Sequence, residues 1–318
     1  MANEQGNYTP PASVVKIRKK MALFPAVYAQ SEDFILAIDG LGGDELREMD
    51  YYEEAMKKNI RVISLNDLPC VVSNKPIGTH AVIQPWGWNM SLRNLLLRHG
   101  VPSFLLKSEV QIENIRRLSH RRITMPFQNE IARQLPGLSI KMAKEFKEEK
   151  QALAFASANP GAYFKMPWSS SGRGVICSSQ MDKNKLTEWI HGAIAKQGSI
   201  LGEYGYDRVA DFATEWQCRN GDVEFAGLSW FNTTSNGNYL GNARLGQDEI
   251  RNRICEVSAL WGQEIVMAQE NAVRKLIAPH YDGPLGIDML ADREGNINPC
   301  VEINIRMTMG MAAILSNQ

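Results

Sequence analysis

The chain of 318 residues is long enough for about two domains, and with 44% hydrophobic and 22% charged residues it can bury a substantial core. Its 35 lysines and arginines balance its 35 aspartates and glutamates, which gives no general electrostatic case for a nucleic-acid or membrane partner. The five cysteines form no CxxC pair, so we expect neither a zinc cluster nor a disulfide framework, and a reducing cytoplasm fits.

The first 115 residues alternate predicted strands and helices. FILAID (34–39), IRVISL (60–65) and THAVIQ (79–84) are typical of buried strands, and helices are predicted over 44–59 and 91–100. Extended structure is expected to resume after Gly100, at VPSFLL. Strands that alternate with helices indicate a parallel α/β layer in this part of the chain.

Two local patterns in this region have plain explanations. KIRKK (16–20) precedes an apolar run as in a signal peptide, but the run is short and contains Pro25, so we expect no export. GLGG (40–43) carries only part of a dinucleotide-binding fingerprint, and we interpret it as a tight turn between a strand and a helix.

The remainder of the chain begins with a predicted helical stretch and continues mainly as strands. We expect helix over 112–158, with KMAKEFKEEK (141–150) as a solvated helix face because its charges are mixed in sign. No run of about 18 apolar residues occurs, so no membrane-spanning helix is expected. Further strands are predicted at 162–166, 175–179, 199–204, 212–218 and 223–231, followed by a helical run near 248–277 and a closing hairpin.

YFKMPWSSSGRGV (163–175) places a lysine on a strand just before a serine- and glycine-rich loop. Backbone N–H groups of such a loop can form a nest for an anion, and Lys165 and Arg173 would add positive charge, so phosphate is the first candidate ligand. The loop is not a Walker A motif, and a plain hairpin loop with an incidental lysine is the alternative.

The closing hairpin carries the second chemical signal. Period-two alternation puts Glu302, Asn304 and Arg306 on one strand face, and a turn centred near Gly295 sets Asp288 roughly opposite Glu302. Two opposed carboxylates repel each other unless a cation lies between them. Oxygen ligands from Asp288, Glu302 and Asn304 suit Mg²⁺ or Mn²⁺, which commonly share ligands with substrate phosphates. A surface hairpin with a polar wet face is the alternative.

Together these motifs resemble the ATP-grasp superfamily. The resemblance rests on the strand lysine, the loop ending in GRG (172–174), the later aspartate, and E-x-N-x-R at 302–306, and it covers roughly 120–318. It implies an α/β pre-ATP-grasp domain over 1–115 followed by an α+β two-subdomain ATP-grasp fold, with a lid subdomain over 116–198 and a large subdomain over 199–318.

The resemblance also implies roles for individual residues. Arg306 would stabilise the acyl-phosphate, with Arg244 as a weaker candidate for the same anion. A basic residue before the lid, Arg121 or Arg122, would contact the phosphates, and Asp211 or Glu215 would meet the ribose. Lys165 would also contact the phosphates. A mobile lid would cover them, formed by Ser170, Ser171, Gly172, Arg173 and Gly174. The hinge would offer backbone groups to adenine from Glu203 and Tyr204.

The implied reaction is that of an ATP-dependent ligase, which activates a carboxylate as an acyl-phosphate for capture by an amine, a thiol or a similar nucleophile. A kinase of the same fold and a non-catalytic nucleotide-binding protein are the alternatives. ATP and Mg²⁺ (or Mn²⁺) are the expected cofactors, and small-molecule carboxylates and amines the expected partners. A peptide acceptor and a homodimer remain open, and nucleic acid and membrane are not expected.

PWGWN (85–89) is the clearest substrate clue outside these motifs. It follows a predicted parallel strand, where α/β sheets commonly bind ligands, so Trp86 and Trp88 would line a pocket for an apolar or ring-bearing group. Packing of the two tryptophans between domains is the alternative. The histidines lack ligand spacing and are interpreted as structural, with His120, near the proposed phosphate site, as the exception to watch.

Overall fold

The strands of the described residues form three sheets in this computed structural model, which describes residues 9–38, 43–73, 81–169, 174–233 and 239–316. The chain divides into two compact units. The first comprises the chain up to Glu113 with the end from Leu315, and the second comprises Asn114 to Ile314. The domain boundaries expected from the sequence stay predictions. No helix of the described residues is long and apolar enough to cross a membrane.

The first unit contains a two-stranded parallel sheet, in which Phe34, Ile35 and Leu36 pair with Arg61, Val62 and Ile63. Its elements are α1 (Ala12–Lys20), β1 (Phe34–Leu36), α2 (Gly43–Arg47), α3 (Tyr52–Lys57), β2 (Arg61–Ile63), α4 (Leu68–Ser73), α5 (Met90–Arg98) and α6 (Glu109–Leu118), the last of which runs into the second unit.

Three expectations for this unit were wrong in detail. The helix expected over 44–59 is broken into α2 and α3, because Tyr51 takes a left-handed backbone conformation with φ 69°. The expected strand at 79–84 is absent over its described residues 81–84, where Val82 is 88% exposed and so gains nothing from burial. The stretch after Gly100 forms a 3-10 turn at Ser103–Leu105 rather than extended chain.

The second unit holds two antiparallel sheets. A four-stranded sheet has the order β3-β6-β4-β5, and a five-stranded sheet has the order β11-β10-β7-β8-β9. The elements are α7 (Thr124–Gln134), β3 (Lys144–Phe146), α8 (Glu149–Ala158), β4 (Tyr163–Lys165), β5 (Val175–Cys177), α9 (Lys183–Gln197), β6 (Ile200–Glu203), β7 (Arg208–Arg219), β8 (Asp222–Thr233), β9 (Tyr239–Asn242), α10 (Gln247–Val257), α11 (Gln263–Leu276), β10 (Gly283–Asp292), β11 (Ile297–Asn304) and α12 (Met309–Leu315).

The five-stranded sheet is apolar on one face and polar on the other. On the apolar face Phe212 pairs with Met289, and both are buried in one cluster with Ile250 and Ile254 of α10 and Ile265 of α11. Because successive side chains point to opposite faces, Ala213 and Asp288 share the other face, and so do Glu215 and Gly286. Helices α10 and α11 therefore cover the apolar face, and the polar face holds the candidate site.

The four-stranded sheet packs its phenylalanines against α8 and α9. Phe146 and Phe164 of the sheet contact Phe155 of α8 in tilted and edge-to-face arrangements. Ile190 of α9 lies in the same buried cluster. The stretch 141–150, expected as a solvated helix face, is therefore wrong in part. Lys144–Phe146 is a strand because it pairs with β6 and buries Phe146.

Candidate functional site

The hairpin of β10 and β11 places the predicted acidic pair as expected. Asp288 and Glu302 are paired directly across the ladder, and Gly295, with φ +81°, lies in the turn. Asn304 donates from Nδ2 to Asp288 Oδ2 over 3.1 Å. Arg306 donates from Nη2 to Asn304 Oδ1 over 2.9 Å and from Nη1 to the Met307 carbonyl over 2.9 Å. Four of the predicted site residues thus form one connected group.

Charge and burial separate the protonation of the two carboxyls. Burial, together with the neighbouring charge of Glu302, raises the pKa of Asp288 to about 7. Burial also acts to raise the pKa of Glu302, but the positive charges of Arg121, Lys165 and Arg306 outweigh it and lower that pKa. The pair therefore behaves as one ionised carboxylate beside one that protonates readily, as expected for two adjacent acids in a partly buried place.

Two cations from other elements of the unit act on this pair. Arg121, which precedes α7, lies with Nη1 2.7 Å from Glu302 Oε2. Lys165 at the end of β4 forms an ion pair of 2.5 Å with Glu203 of β6, and its charge also lowers the pKa of Glu302. The strand lysine, the hinge glutamate and the hairpin carboxylates, widely separated in sequence, therefore belong to one electrostatic cluster.

The serine- and glycine-rich loop begins and ends beside this cluster. Met166 N donates to the Gly174 carbonyl over 2.8 Å, which closes the base of the loop. Gly174 has φ +75°, and a Cβ there would lie 3.1 Å from Ser169 Cβ, so both conformation and space require glycine. Trp168 is held by hydrogen bonds from its N to Gln197 and from its Nε1 to Arg116. The loop residues predicted to cover phosphate lie outside the described residues: Ser170, Ser171, Gly172 and Arg173.

The expected hinge lies on β6 and just after it. The side chain of Glu203 pairs with Lys165, whereas its predicted role uses backbone groups. Tyr204 packs edge-to-face on Phe155, with ring centroids 5.1 Å apart. The adenine contacts of these residues stay predictions.

Of the two candidate arginines before the lid, the structure turns Arg121 toward the cluster. Arg122 instead donates to His120 Nδ1 and approaches Glu145, with 3.3 Å between Nη2 and Oε1. Burial and the charge of Arg122 lower the pKa of His120 to about 4, and its ring packs against Trp168. His120 thus has a packing role in this arrangement.

Two further candidates lie apart from these contacts. Asp211, at the start of β7, accepts from Thr233 Oγ1 over 2.5 Å and pairs with Arg208 at 3.3 Å. Arg244 is exposed and makes no ion pair with any described residue. Their ribose and anion roles stay predictions.

Glu215 is enclosed beneath the site, and no sequence pattern predicted this burial. Its carboxylate accepts from Thr308 Oγ1 over 2.7 Å and from Ser229 Oγ over 3.0 Å, and the residue is only 2% exposed. A Cβ on Gly310 would lie 2.0 Å from Glu215 Oε1, and one on Gly286 2.7 Å from Oε2. Burial raises the pKa of Glu215 to about 8. Its enclosed carboxyl leaves Asp211 as the better ribose candidate of the two.

The donor set fits a divalent cation that shares its ligands with phosphate. Asp288 and Glu302 provide two adjacent carboxylates, and Mg²⁺ is commonly held by one or two carboxylates with phosphate and water supplying the rest. Among the described residues no three His, Cys, Asp or Glu side chains group to hold a metal alone. The oxygen of Asn304 accepts from Arg306, so this amide must exchange partners to act as a ligand.

The tryptophans of PWGWN pack within the first unit. Trp86 makes an edge-to-face contact with Phe24 at 5.7 Å between centroids, and Trp88 packs against the cluster of Leu68, Leu96 and Val101. These contacts show packing inside the first unit, and a pocket for an apolar group at the two tryptophans stays a prediction.

No family model matches the chain, and no curated protein matches it significantly. Solved structures do. The biotin carboxylase of Campylobacter jejuni, in its β-γ-ATP complex, is 13% identical with a TM-score of 0.52, over 89% of this chain and 64% of that one. The biotin carboxylase domain dimer of Hydrogenobacter thermophilus 2-oxoglutarate carboxylase, with MgADP, ADP and bicarbonate, is also 13% identical with a TM-score of 0.52, over 93% and 67%. The chain thus spans about two thirds of these structures, and at this identity the likeness establishes the fold.

Proposed function

The chain has the ATP-grasp fold, and on this premise we propose that it is an ATP-dependent ligase that activates a carboxylate as an acyl-phosphate. The observation that carries the proposal is the pairing of Asp288 with Glu302, where Arg121 contacts Glu302 and the charges of Lys165 and Arg306 act on it. Three cations around two acids, beside the base of a glycine-rich loop, suit a polyphosphate and its divalent ion.

The first step joins the substrate carboxylate to the γ-phosphorus of ATP. A carboxylate oxygen attacks phosphorus, the bond to the β-γ bridging oxygen breaks, and ADP leaves with that electron pair. Phosphoryl transfer depends on in-line positioning and on neutralisation of charge, so Lys165 and Arg121 would hold the phosphates and offset their charge. Asp288 and Glu302 would hold the divalent cation, which, when bound, neutralises charge on the phosphate oxygens.

The second step transfers the acyl group. The amine nitrogen attacks the acyl carbon, the bond from that carbon to the phosphate oxygen breaks, inorganic phosphate leaves, and the amine loses one proton to solvent. Arg306, held by Asn304 and the Met307 carbonyl, would stabilise the anionic acyl-phosphate and its addition product. The loop over 169–174 would exclude water, which otherwise hydrolyses an acyl-phosphate.

The substrates are proposed by class. The carboxyl donor is a small carboxylic acid or amino acid, or bicarbonate, which is bound in the Hydrogenobacter domain. The acceptor is an amine, a thiol or a peptide. That domain is a dimer, and a homodimer is accordingly proposed for this chain.

A substrate screen tests the proposal. The protein is incubated with ATP, Mg²⁺ or Mn²⁺, and pairs of acids and acceptors, and ADP, phosphate and product masses are measured. We expect release of ADP and phosphate that requires both co-substrates. Glu302→Gln should lower turnover by about 10²–10³-fold, because it removes one charge of the acidic pair.

The matched control changes the same residue type on the exposed turn of the same hairpin. Glu294→Gln should retain full turnover. ADP formed together with a stable phosphorylated acceptor would indicate a kinase instead. Nucleotide binding without phosphate release in any mixture would contradict the ligase proposal and favour a non-catalytic nucleotide-binding protein.

A further inference from the structure

Arg121 joins the base of the loop to the acidic pair. Its Nη1 lies 2.7 Å from Glu302 Oε2, and its Nη2 donates to Ser169 Oγ over 3.2 Å. Its backbone N donates to the Pro167 carbonyl over 3.0 Å, and the residue is only 6% exposed. The guanidinium is thus fixed between the stem of the loop and the carboxylate proposed to bind the metal.

This contact gives Glu302 a cation within the protein itself. A half-buried carboxylate is stabilised by a cationic partner, and a guanidinium at this distance supplies one. A divalent ion arriving alone must therefore compete with Arg121 for the same oxygen. Lys165, which also acts on Glu302, is itself paired with Glu203.

Arg121 still has unused hydrogen-bonding capacity. Its Nε is buried without a hydrogen-bond partner among the described residues, whereas its Nη1 is ion-paired with Glu302. A planar guanidinium with free donors matches phosphate oxygens in a two-point contact. A nucleotide that places a phosphate beside Ser169 would therefore draw Arg121 away from Glu302.

We propose that Arg121 is a resident counter-ion that makes metal binding conditional on nucleotide. Without nucleotide, it occupies Glu302 and opposes binding of the divalent cation. With nucleotide, the phosphates take the guanidinium, and Glu302 is released to share the metal with Asp288. The inference rests on the proposed function in two respects, namely that the polyphosphate binds beside the loop and that Asp288 and Glu302 hold the metal.

Direct Mn²⁺ binding to the nucleotide-free protein, measured by electron paramagnetic resonance of free Mn²⁺, tests this inference. We expect weak binding to the wild type and at least about tenfold tighter binding to Arg121→Gln, since the competing charge is gone. ADP affinity measured in EDTA should fall by about tenfold in the same variant. Arg122→Gln, the neighbouring arginine that pairs with Glu145 instead, should leave Mn²⁺ affinity unchanged.

Two further variants keep the test decisive. If Arg121→Gln does not fold, Arg121→Lys retains the charge but cannot reach both Ser169 and Glu302, and a smaller gain in Mn²⁺ affinity is expected. In Arg121→Gln/Glu302→Gln the gain should disappear. Unchanged or weaker Mn²⁺ binding in folded Arg121→Gln or Arg121→Lys would overturn the inference.

The failures of the two proposals are separable. If the protein turns over substrates but the Arg121 variants bind Mn²⁺ as the wild type does, the proposed function stands and this inference is wrong. A chain that shows the Mn²⁺ and ADP responses but releases no phosphate with any substrate pair retains the inference and loses the ligase proposal.

Discussion

Burial and hydrogen bonding of single side chains on the polar face of the five-stranded sheet set the pKa values of the acidic residues there. Glu215 illustrates the point, because two hydroxyls donate to it and two glycine backbones make room for it. Thr308 uses its hydroxyl twice, since it donates to Glu215 and accepts from Met311 N over 2.9 Å. Glu215 therefore helps to position the segment that follows Arg306.

The enclosure of Glu215 has a consequence for the pH dependence of stability. Its pKa is about 8 in the folded protein against 4.5 for an ordinary glutamate, so between these pH values the folded state holds the extra proton. Its contribution is present below pH 4.5 and is lost as pH rises toward 8, by at most about 1.4 kcal/mol per pH unit. Denaturant unfolding in EDTA should show this fall in the wild type and a flatter profile in Glu215→Gln. Parallel profiles would contradict the expectation.

At the scale of elements, local sequence patterns predicted the hairpin and missed strand β3. The pairing of Asp288 with Glu302 followed from a period of two around these residues and one glycine turn, although the register shifts between Asp288 and Leu290. Lys144–Phe146 lies in a run of mixed charges, and its strand state depends on pairing with β6. Such a tertiary contact overrides local propensity.

The same limit applied to the cations of the site. Arg121 and Arg122 are equivalent in sequence, and which of them faces Glu302 depends on the 3-10 turn at Arg121–Ile123 and on His120, which accepts from Arg122. Likewise, the ion pair of Lys165 and Glu203 follows from the pairing of β4 with β6. These contacts join distant parts of the chain, and no periodicity in one segment predicts them.

The packing of β6 against α8 gives a prediction at this scale. A Cβ on Gly202 would lie 2.7 Å from Phe146 Cε2 and 3.1 Å from Phe155 Cδ1. Gly202→Ala should therefore destabilise the protein by about 1–3 kcal/mol. Gly192→Ala, inside α9 with nothing within 4 Å, should stabilise it by about 0.5–1 kcal/mol, since alanine favours helix. Chemical denaturation measures both, and equal effects of the two substitutions would contradict the packing account.

At the scale of the whole molecule, each compact unit has its own buried clusters. Leu23, Ile35 and Ile60 lie in a cluster of the first unit, whereas Phe164 and Phe212 lie in clusters of the second. All of the predicted phosphate and metal residues that the structure describes belong to the second unit. Stability and ligand binding are therefore linked through that unit.

Calorimetry of the intact chain should show two unfolding transitions, of which only one responds to nucleotide. Ligand at 100 times its Kd adds about 2.7 kcal/mol to the unit that binds it, which raises that transition by about 5–10 °C. Gly202→Ala should lower the temperature of the transition that responds to nucleotide. Leu23→Ala, in the fully buried core of the first unit, should lower the temperature of the other transition. A single transition that moves as a whole with ADP and with both variants would show that the units unfold together, and the link between binding and stability would then extend over the entire chain.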